Sequence, residues 1–300
     1  MINALEVPSE QDLSTFTRFL AAQGLPHRIT EEGLNQVVWV PDERAAAFVQ
    51  AAFNDFEAGR LPEVGEVSST PGRSIPQKVF EAFWRYPFTM VLIVVCILFF
   101  PVGMNLQDVE TDGLFARMMF VMLVDVQGEQ YFSSIGYTLG QGEVWRLFSP
   151  MFVHFSWLHI VFNLLWVWEI GRRIEVVHGS WAMFAVVMVS SLAANVLQYL
   201  MSAPGFFGGM SGVVFGLLGH ALIWSKLQPS TSSPQKDMGV PNGVYIFMLV
   251  YLAIGFTGAI DLLGLGSIAN GAHLGGLLGG LATGGLAVLL TRRKLSRPTQ

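Results

Sequence analysis

The sequence predicts an all-α polytopic membrane protein, a bundle of six transmembrane helices with a small α+β cytoplasmic domain in front of it. Three observations carry that prediction. Of 300 residues, 52% are hydrophobic and 13% charged, with a mean hydropathy of +0.50, which is not the balance of a soluble domain. Apolar runs recur at about 87–104, 152–170, 180–202, 208–225, 243–260 and 269–291. Each is close to the roughly 20 residues that span a bilayer core as a helix. Residues 1–59 read differently, as short strands and helices separated by turn residues.

In that front domain Met1–Val7 reads as a strand, and Ser9 as the N-cap of a helix running to Gln23 and closed by Gly24. Leu13, Phe16, Phe19 and Leu20 recur at helical spacing. His27–Thr30 and Gln36–Val40 read as a hairpin around Glu31-Glu32-Gly33. Asp42 then caps a second helix that presents Phe48, Val49, Ala52, Phe53 and Phe56 on one face and ends at Gly59. No catalytic constellation occurs here, and His27 reads as a surface residue.

Residues 60–84 read as a linker, with Pro62, Pro71 and Pro76 among Gly, Ser and Glu. Its end, from Val79 to Tyr86, has the aromatic and basic character of an approach to a membrane interface. The bundle follows over 85–291, and 292–300 is a basic cytoplasmic tail. Within the long loop 105–149, Leu114–Val124 is apolar but short and contains Arg117, so it reads as an interfacial helix rather than a span. Basic residues in the connections set the expected orientation. Arg172, Arg173, Lys226, Lys236, Arg292, Arg293, Lys294 and Arg297 fall on one side, against Arg117 and Arg146 on the other. Both termini are therefore expected in the cytoplasm of a bacterial inner membrane, and the second, fourth and sixth spans begin at the outer face.

Several function classes are disfavoured. The net charge of −5 and the lack of a basic block argue against nucleic-acid binding. A single cysteine, Cys96, allows neither an intrachain disulfide nor a cysteine metal site. Met1–Glu10 holds acids and no basic n-region, so no signal peptide is expected at this start. No metal and no organic cofactor are implied.

Polar groups inside spans are costly and tend to be functional. The second span carries His154, His159 and Asn163, the last two at i, i+4 on one helix face. The fourth opens with the glycine-rich stretch Gly208-Gly209-Met210-Ser211-Gly212. The sixth carries Asn270 and His273 near its start. At 1.5 Å per residue, Ser211 and His273 lie about 5 and 6 Å along their helices, and with Ser156 as a cap, His159 and Asn163 occupy the first two turns of theirs. All four fall in the outer half of the bilayer. Serine is a weak nucleophile until a neighbouring base takes its proton, and neutral imidazole is the usual base. Ser211 with His273 is thus a candidate nucleophile–base pair. The Ser211 N–H, His159 and Asn163 are candidate donors to the oxyanion that acyl transfer generates. No carboxylate is suitably placed for a third member: Asp261 is in a loop, and Glu169 and Glu175 lie near the cytoplasmic end. Plainer readings hold elsewhere. His154 reads first as a local hydrogen-bonding residue and second as support for the site, His220 and Trp224 as packing or interfacial residues, and His178 as part of a cytoplasmic loop. Gly276 and Gly280, at i, i+4, read as a helix-packing seam that lets the sixth span approach the fourth.

The set Trp145-Arg146, His154-x4-His159-x3-Asn163, Gly209-x-Ser211-Gly212 and Ala272-His273-x2-Gly276-x3-Gly280 resembles the rhomboid intramembrane serine proteases, over roughly 84–291. The front domain and linker before the bundle look most like the bacterial GlpG-type rhomboids. The resemblance implies Ser211 as nucleophile, His273 as general base, and His159 with Asn163 in the oxyanion hole. It implies that loop 105–149 is partly embedded in the membrane and anchored by Trp145-Arg146, and that the fifth span with loop 261–269 gates substrate entry. The substrates implied are single-span membrane proteins, cut near the outer face beside a helix-destabilised stretch. Phe215, one turn after Ser211, matches an aromatic on which the catalytic histidine stacks; that position is often Tyr, and Phe215 brings no hydroxyl. Met210 replaces a commonly smaller or aliphatic residue.

Two other readings differ in class. A catalytically inactive rhomboid-like protein that binds transmembrane helices would typically lack the serine or the histidine, and both are present. A transporter with a histidine proton relay predicts carboxylates deep in the spans or an internal repeat, and neither is seen.

Overall fold

The computed structural model describes residues 1–60, 74–104, 113–202, 205–228, 238–257 and 268–296. The chain divides into two compact units, Met1–Ile75 and Pro76–Gln300.

The first unit is a three-stranded antiparallel sheet covered by two helices. Strand β1 (Ile2–Pro8) and strand β2 (Arg28–Glu32) flank β3 (Asn35–Val40). The β2–β3 hairpin pairs Arg28 with Trp39 and closes with Glu32 opposite Asn35; Gly33, at φ +67°, supplies the turn that a side chain would resist. Helices α1 (Ser14–Ala22) and α2 (Glu43–Glu57) bury Phe16, Leu20, Val49 and Phe53 against Val38 and Val40, with Phe16 and Phe53 meeting edge to face at 5.3 Å. Asp42 caps α2 as its sequence predicts, accepting from the Ala45 N–H at 2.9 Å. Ser9 does not cap α1. Its N–H and hydroxyl both donate to the Leu34 carbonyl, and α1 starts five residues later, where Asp12 accepts from the Ser14 N–H at 2.8 Å. That bond holds the Asp12 carboxyl below its ordinary pKa. Phe48, expected on the apolar face of α2, is exposed because the helix turns it away from the sheet.

Helix α3 (Ile75–Arg85) runs from the last residue of the first unit into the second, so the last part of the expected linker is helical, and α4 (Pro87–Met104) follows after Tyr86. The apolar segment expected to form one interfacial helix does not. Only α5 (Leu114–Met118) is helical; its Phe115, Ala116 and Met118 are buried, and the chain then extends into the hairpin β4 (Leu123–Val126) and β5 (Glu129–Phe132). Val126 faces Glu129 across a two-residue turn in which Gln127 and Gly128 both have positive φ, +58° and +87°, the backbone that matches strand twist. Helix α6 (Ile135–Gly140) and two 3₁₀ turns, Val144–Leu147 and Ser149–Phe152, lead into the second apolar segment.

That segment is not helical from residue 152. Val153–Phe155 carry no regular structure, Ser156 caps α7 (Trp157–Trp166) by accepting from the His159 N–H at 3.2 Å, and a π turn over Val167–Gly171 runs into α8 (Arg172–His178). His178 is therefore the last residue of a helix, not a loop residue. Its ring packs edge-on against Trp224 at 4.3 Å and His220 at 5.2 Å. Helices α9 (Ser180–Met201), α10 (Ser211–Leu227), α11 (Asn242–Phe256) and α12 (Asn270–Leu295) complete the unit. Among the described residues α4, α9 and α12 are long and apolar enough to cross a membrane, while α10 and α11 are apolar but shorter.

Helix α10 is buried all round, from Gly212 to Ala221 and again at Trp224, as suits the central helix of a bundle. It packs against α12 and α9. Helix α12 brings two glycine faces to these neighbours. A methyl group on Gly276 or Gly280 would collide with the Gly212 or Gly216 carbonyl of α10, and one on Gly284 would lie 2.8 Å from the His220 carbonyl oxygen. On the other face, a methyl on Gly271 would lie 2.8 Å from the Gln198 Cα, and one on Gly279 3.2 Å from the Ser190 Cα, both on α9. The expected Gly276/Gly280 seam is thus half of a two-sided contact.

Candidate active site

Ser211 is the first residue of α10, and the strand of chain before it is held on both sides. The Gly209 N–H donates to the Pro150 carbonyl at 2.9 Å, and a side chain on Gly208 would press on Pro150 and Val153. The Met210 N–H donates to His154 Nε2 at 3.2 Å, while His154 Nδ1 lies 3.2 Å from the Phe152 carbonyl. A neutral imidazole protonated at Nδ1 satisfies both bonds. His154 therefore makes the local bond and also pins the serine loop.

Gly209 has φ +113° and lies directly beside two polar side chains of α7. A Cβ there would fall 2.5 Å from His159 Nε2 and 3.7 Å from Asn163 Nδ2. Gly209 is required twice, for its left-handed backbone and for that approach. The Asn163 amide nitrogen is buried and has no hydrogen-bond partner among the described residues. His159 packs edge-on to His154 at 5.0 Å. The side of Gly209 toward α7 thus holds an imidazole and an unused amide donor, next to the N-terminal end of α10, where backbone N–H groups are unpaired.

His273 enters from α12, one turn after its start. Its Nε2 lies 2.9 Å from Ser211 Oγ. The ring lies over Phe215 with centroids 4.7 Å apart and planes tilted by 31°, and Tyr251 of α11 flanks it at 5.9 Å. His273 Nδ1 has no hydrogen-bond partner among the described residues, so none of their carboxylates extends the pair. The close approach of α12 to α10 comes from the glycine seam, which begins at Gly276, three residues after His273.

The other expected residues frame the site. Asn270 Nδ2 donates to the Gly255 carbonyl at 2.8 Å and ties the start of α12 to the end of α11. Arg146 is 2% exposed; it pairs with Glu143 at 2.5 Å and donates to the carbonyls of Ala116 and Met119. Trp145 Nε1 donates to the Arg117 carbonyl at 3.1 Å. Together they hold the α5 segment against the turns that precede α7. Of the gate expected from the fifth span and loop 261–269, residues 258–267 lie outside the described residues.

Three positioning residues were not anticipated. Gln198 Oε1 accepts from the Ala272 N–H at 3.0 Å, which satisfies an orphan donor at the start of α12 next to His273. Asn195 Nδ2 donates to the Leu147 carbonyl at 2.9 Å. Glu175 accepts from the Phe88 and Thr89 N–H groups at 2.8 and 2.9 Å and from the Thr89 and Ser180 hydroxyls, both at 2.6 Å. A small cavity of about 10 Å³, lined by Ser191, Asn195, Gly208, Ser211 and Ala272, leaves room for roughly one water behind the serine.

Comparison with known proteins gives a consistent result. The family model described as Rhomboid domain matches residues 141–289, and the one described as Rhomboid N-terminal domain matches residues 1–65. The chain is 31% identical to the rhomboid protease GlpG of Klebsiella pneumoniae (strain 342), over 93% of this chain and 94% of that protein. It is 31% identical to the rhomboid protease GlpG of Enterobacter sp. (strain 638) and 29% identical to that of Salmonella choleraesuis (strain SC-B67), each with the same coverage.

Proposed function

Because the chain belongs to the rhomboid family, as a membrane-embedded serine protease, we propose that it cuts single-span membrane proteins by a Ser211–His273 dyad through an acyl-enzyme. The observation that carries this reading is the 2.9 Å hydrogen bond between Ser211 Oγ and His273 Nε2 at the half-buried start of α10. His273 takes the Ser211 proton as Oγ attacks the scissile carbonyl. The negative charge that develops on the carbonyl oxygen is met by the Ser211 N–H, the Asn163 amide and His159. On collapse, the protonated His273 gives its proton to the leaving amine. A water deprotonated by the same imidazole then releases the acyl group. Phe215 holds the imidazole plane throughout, a task that a carboxylate performs in a triad.

In this reading the second unit forms six spans, with α7 to α8 as the second, and both termini lie in the cytoplasm of the bacterial inner membrane. The active site then opens toward the outer face, and residues 60–84 link an autonomous front domain of residues 1–59 to the protease bundle. A scissile bond inside a regular helix is shielded by its own hydrogen bonds, so substrates are those that unwind near that face.

A serine-directed phosphonate tests the nucleophile. Mass spectrometry of the treated full chain is expected to find the adduct on Ser211 in the wild type and to lose it in His273→Ala. An adduct on another serine, or one formed equally without His273, contradicts the assignment.

A further inference from the structure

Helix α3 has an apolar face that nothing in the protease mechanism uses. Ile75, Val79, Phe80, Phe83 and Trp84, with Pro76 and Ala82, occupy one contiguous arc at 100° per residue, and Gln77, Lys78, Glu81 and Arg85 occupy the other. None of its residues is buried, and Trp84, Ile75 and Phe80 are among the most exposed apolar side chains of the chain, at 76%, 77% and 63%. Phe80 and Trp84 stack edge to face at 6.1 Å within that arc.

The position of α3 says what covers this face. The Tyr86 N–H donates to the Ala82 carbonyl and the Met90 N–H to Tyr86, so α3 joins α4 without a free loop. The outward side of α4, with Val91, Ile97 and Leu98 exposed, is apolar over the length of a span. The junction also lies at the arginine-bearing end of the bundle: Tyr86 packs on Trp168 at 5.6 Å, and the Arg172 guanidinium sits over the same Trp168 ring at 5.6 Å. The apolar arc of α3 is therefore continuous with the lipid-facing surface of a membrane helix, and Arg85, 5.5 Å from the Tyr86 ring, stands at the same end of the bundle as Arg172.

We propose that α3 is a membrane-surface helix, lying in the headgroup layer of the leaflet next to α8, with its apolar arc in the acyl boundary and Lys78 and Arg85 among anionic phospholipid headgroups. An amphipathic helix with basic and aromatic residues binds such an interface at a depth of about 5–10 Å, and each juxtamembrane cation adds attraction to anionic lipid.

Single-cysteine spin labels on the full chain test this in phosphatidylcholine vesicles with and without phosphatidylglycerol; Cys96 is fully buried and escapes labelling. Labels at Val79, Phe80 and Phe83 are expected to be relaxed by oxygen from the hydrocarbon, and labels at Gln77, Lys78 and Glu81 by a water-soluble nickel chelate. Phosphatidylglycerol is expected to draw the helix deeper, and the double variant Lys78→Gln/Arg85→Gln to lose that response. Equal access of the chelate to all six positions overturns the proposal, as does shielding of the apolar positions from both reagents, the result expected if a second copy or the front domain covers the arc. Depth that is the same in both lipids overturns the anionic-headgroup part.

Discussion

Asn163 holds a buried amide nitrogen without a hydrogen-bond partner, and such a group costs energy unless something uses it. The proposed mechanism uses it only while the oxyanion exists. Asn163→Ala is therefore expected to lower turnover by about 10²-fold while the yield of folded protein and its thermal midpoint stay near wild type; a proportional fall in turnover and yield makes Asn163 structural. His154 should behave differently, because the Met210 N–H it receives exists in the resting protein. His154→Ala orphans that donor at a cost of about 1–3 kcal/mol, so thermal stability and turnover should fall together, and a stable but inactive variant contradicts the positioning role. The contrast also marks what spacing can and cannot reveal. His159 and Asn163 are legible as a pair because i, i+4 places them on one face. The second bond of His154 is not legible, since its partner is 56 residues away, nor is the bond of Gln198 to the Ala272 N–H, 74 residues away.

Helix α12 owes its position to small residues on two faces. The i, i+4 pair Gly276/Gly280 was visible in the sequence. The second face against α9, and the matching glycines at 212 and 216 on α10, needed the packing. Gly280→Ala sets a methyl against the Gly216 backbone, and overpacking of this kind costs about 1–3 kcal/mol. Its thermal midpoint and its cleavage rate should both fall, whereas Gly285→Ala, whose Cβ meets nothing within 4 Å, should leave both unchanged; equal effects contradict the seam. The segment 114–124 departs from the expected single helix for a physical reason. Its apolar content suggests a helix, but the Gln127-Gly128 turn just beyond it starts a hairpin, and Arg146 buries the helical part by taking the Ala116 and Met119 carbonyls. Glu175, an end-of-span charge by its position in the sequence, likewise has a structural role that spacing does not reveal. A carboxylate in so apolar a setting needs several donors, and the start of α4 and Ser180 supply four.

The chain folds as two units, and the proposed catalytic groups all belong to the second. Removal of the front domain, starting the chain near Ser74 so that α3 is kept, is expected to leave cleavage of a membrane reporter within a few-fold of wild type, which corresponds to less than about 1.4 kcal/mol. A well-folded truncate without activity refutes that independence. The overall class was legible because bilayer length and low charge constrain a sequence strongly; the second segment departs from the simple picture because His154, near its start, holds the serine loop through the Met210 N–H and cannot also be helix. The glycine-rich stretch before Ser211 and the start of α12 meet only through this three-helix packing, and the whole account rests on that meeting. Cleavage of a single-span reporter in membranes by wild type, Ser211→Ala and His273→Ala measures it most directly. Product is expected from the wild type and none above background from either variant, with all three chains folded and inserted equally; product at the wild-type rate from either variant would contradict the dyad.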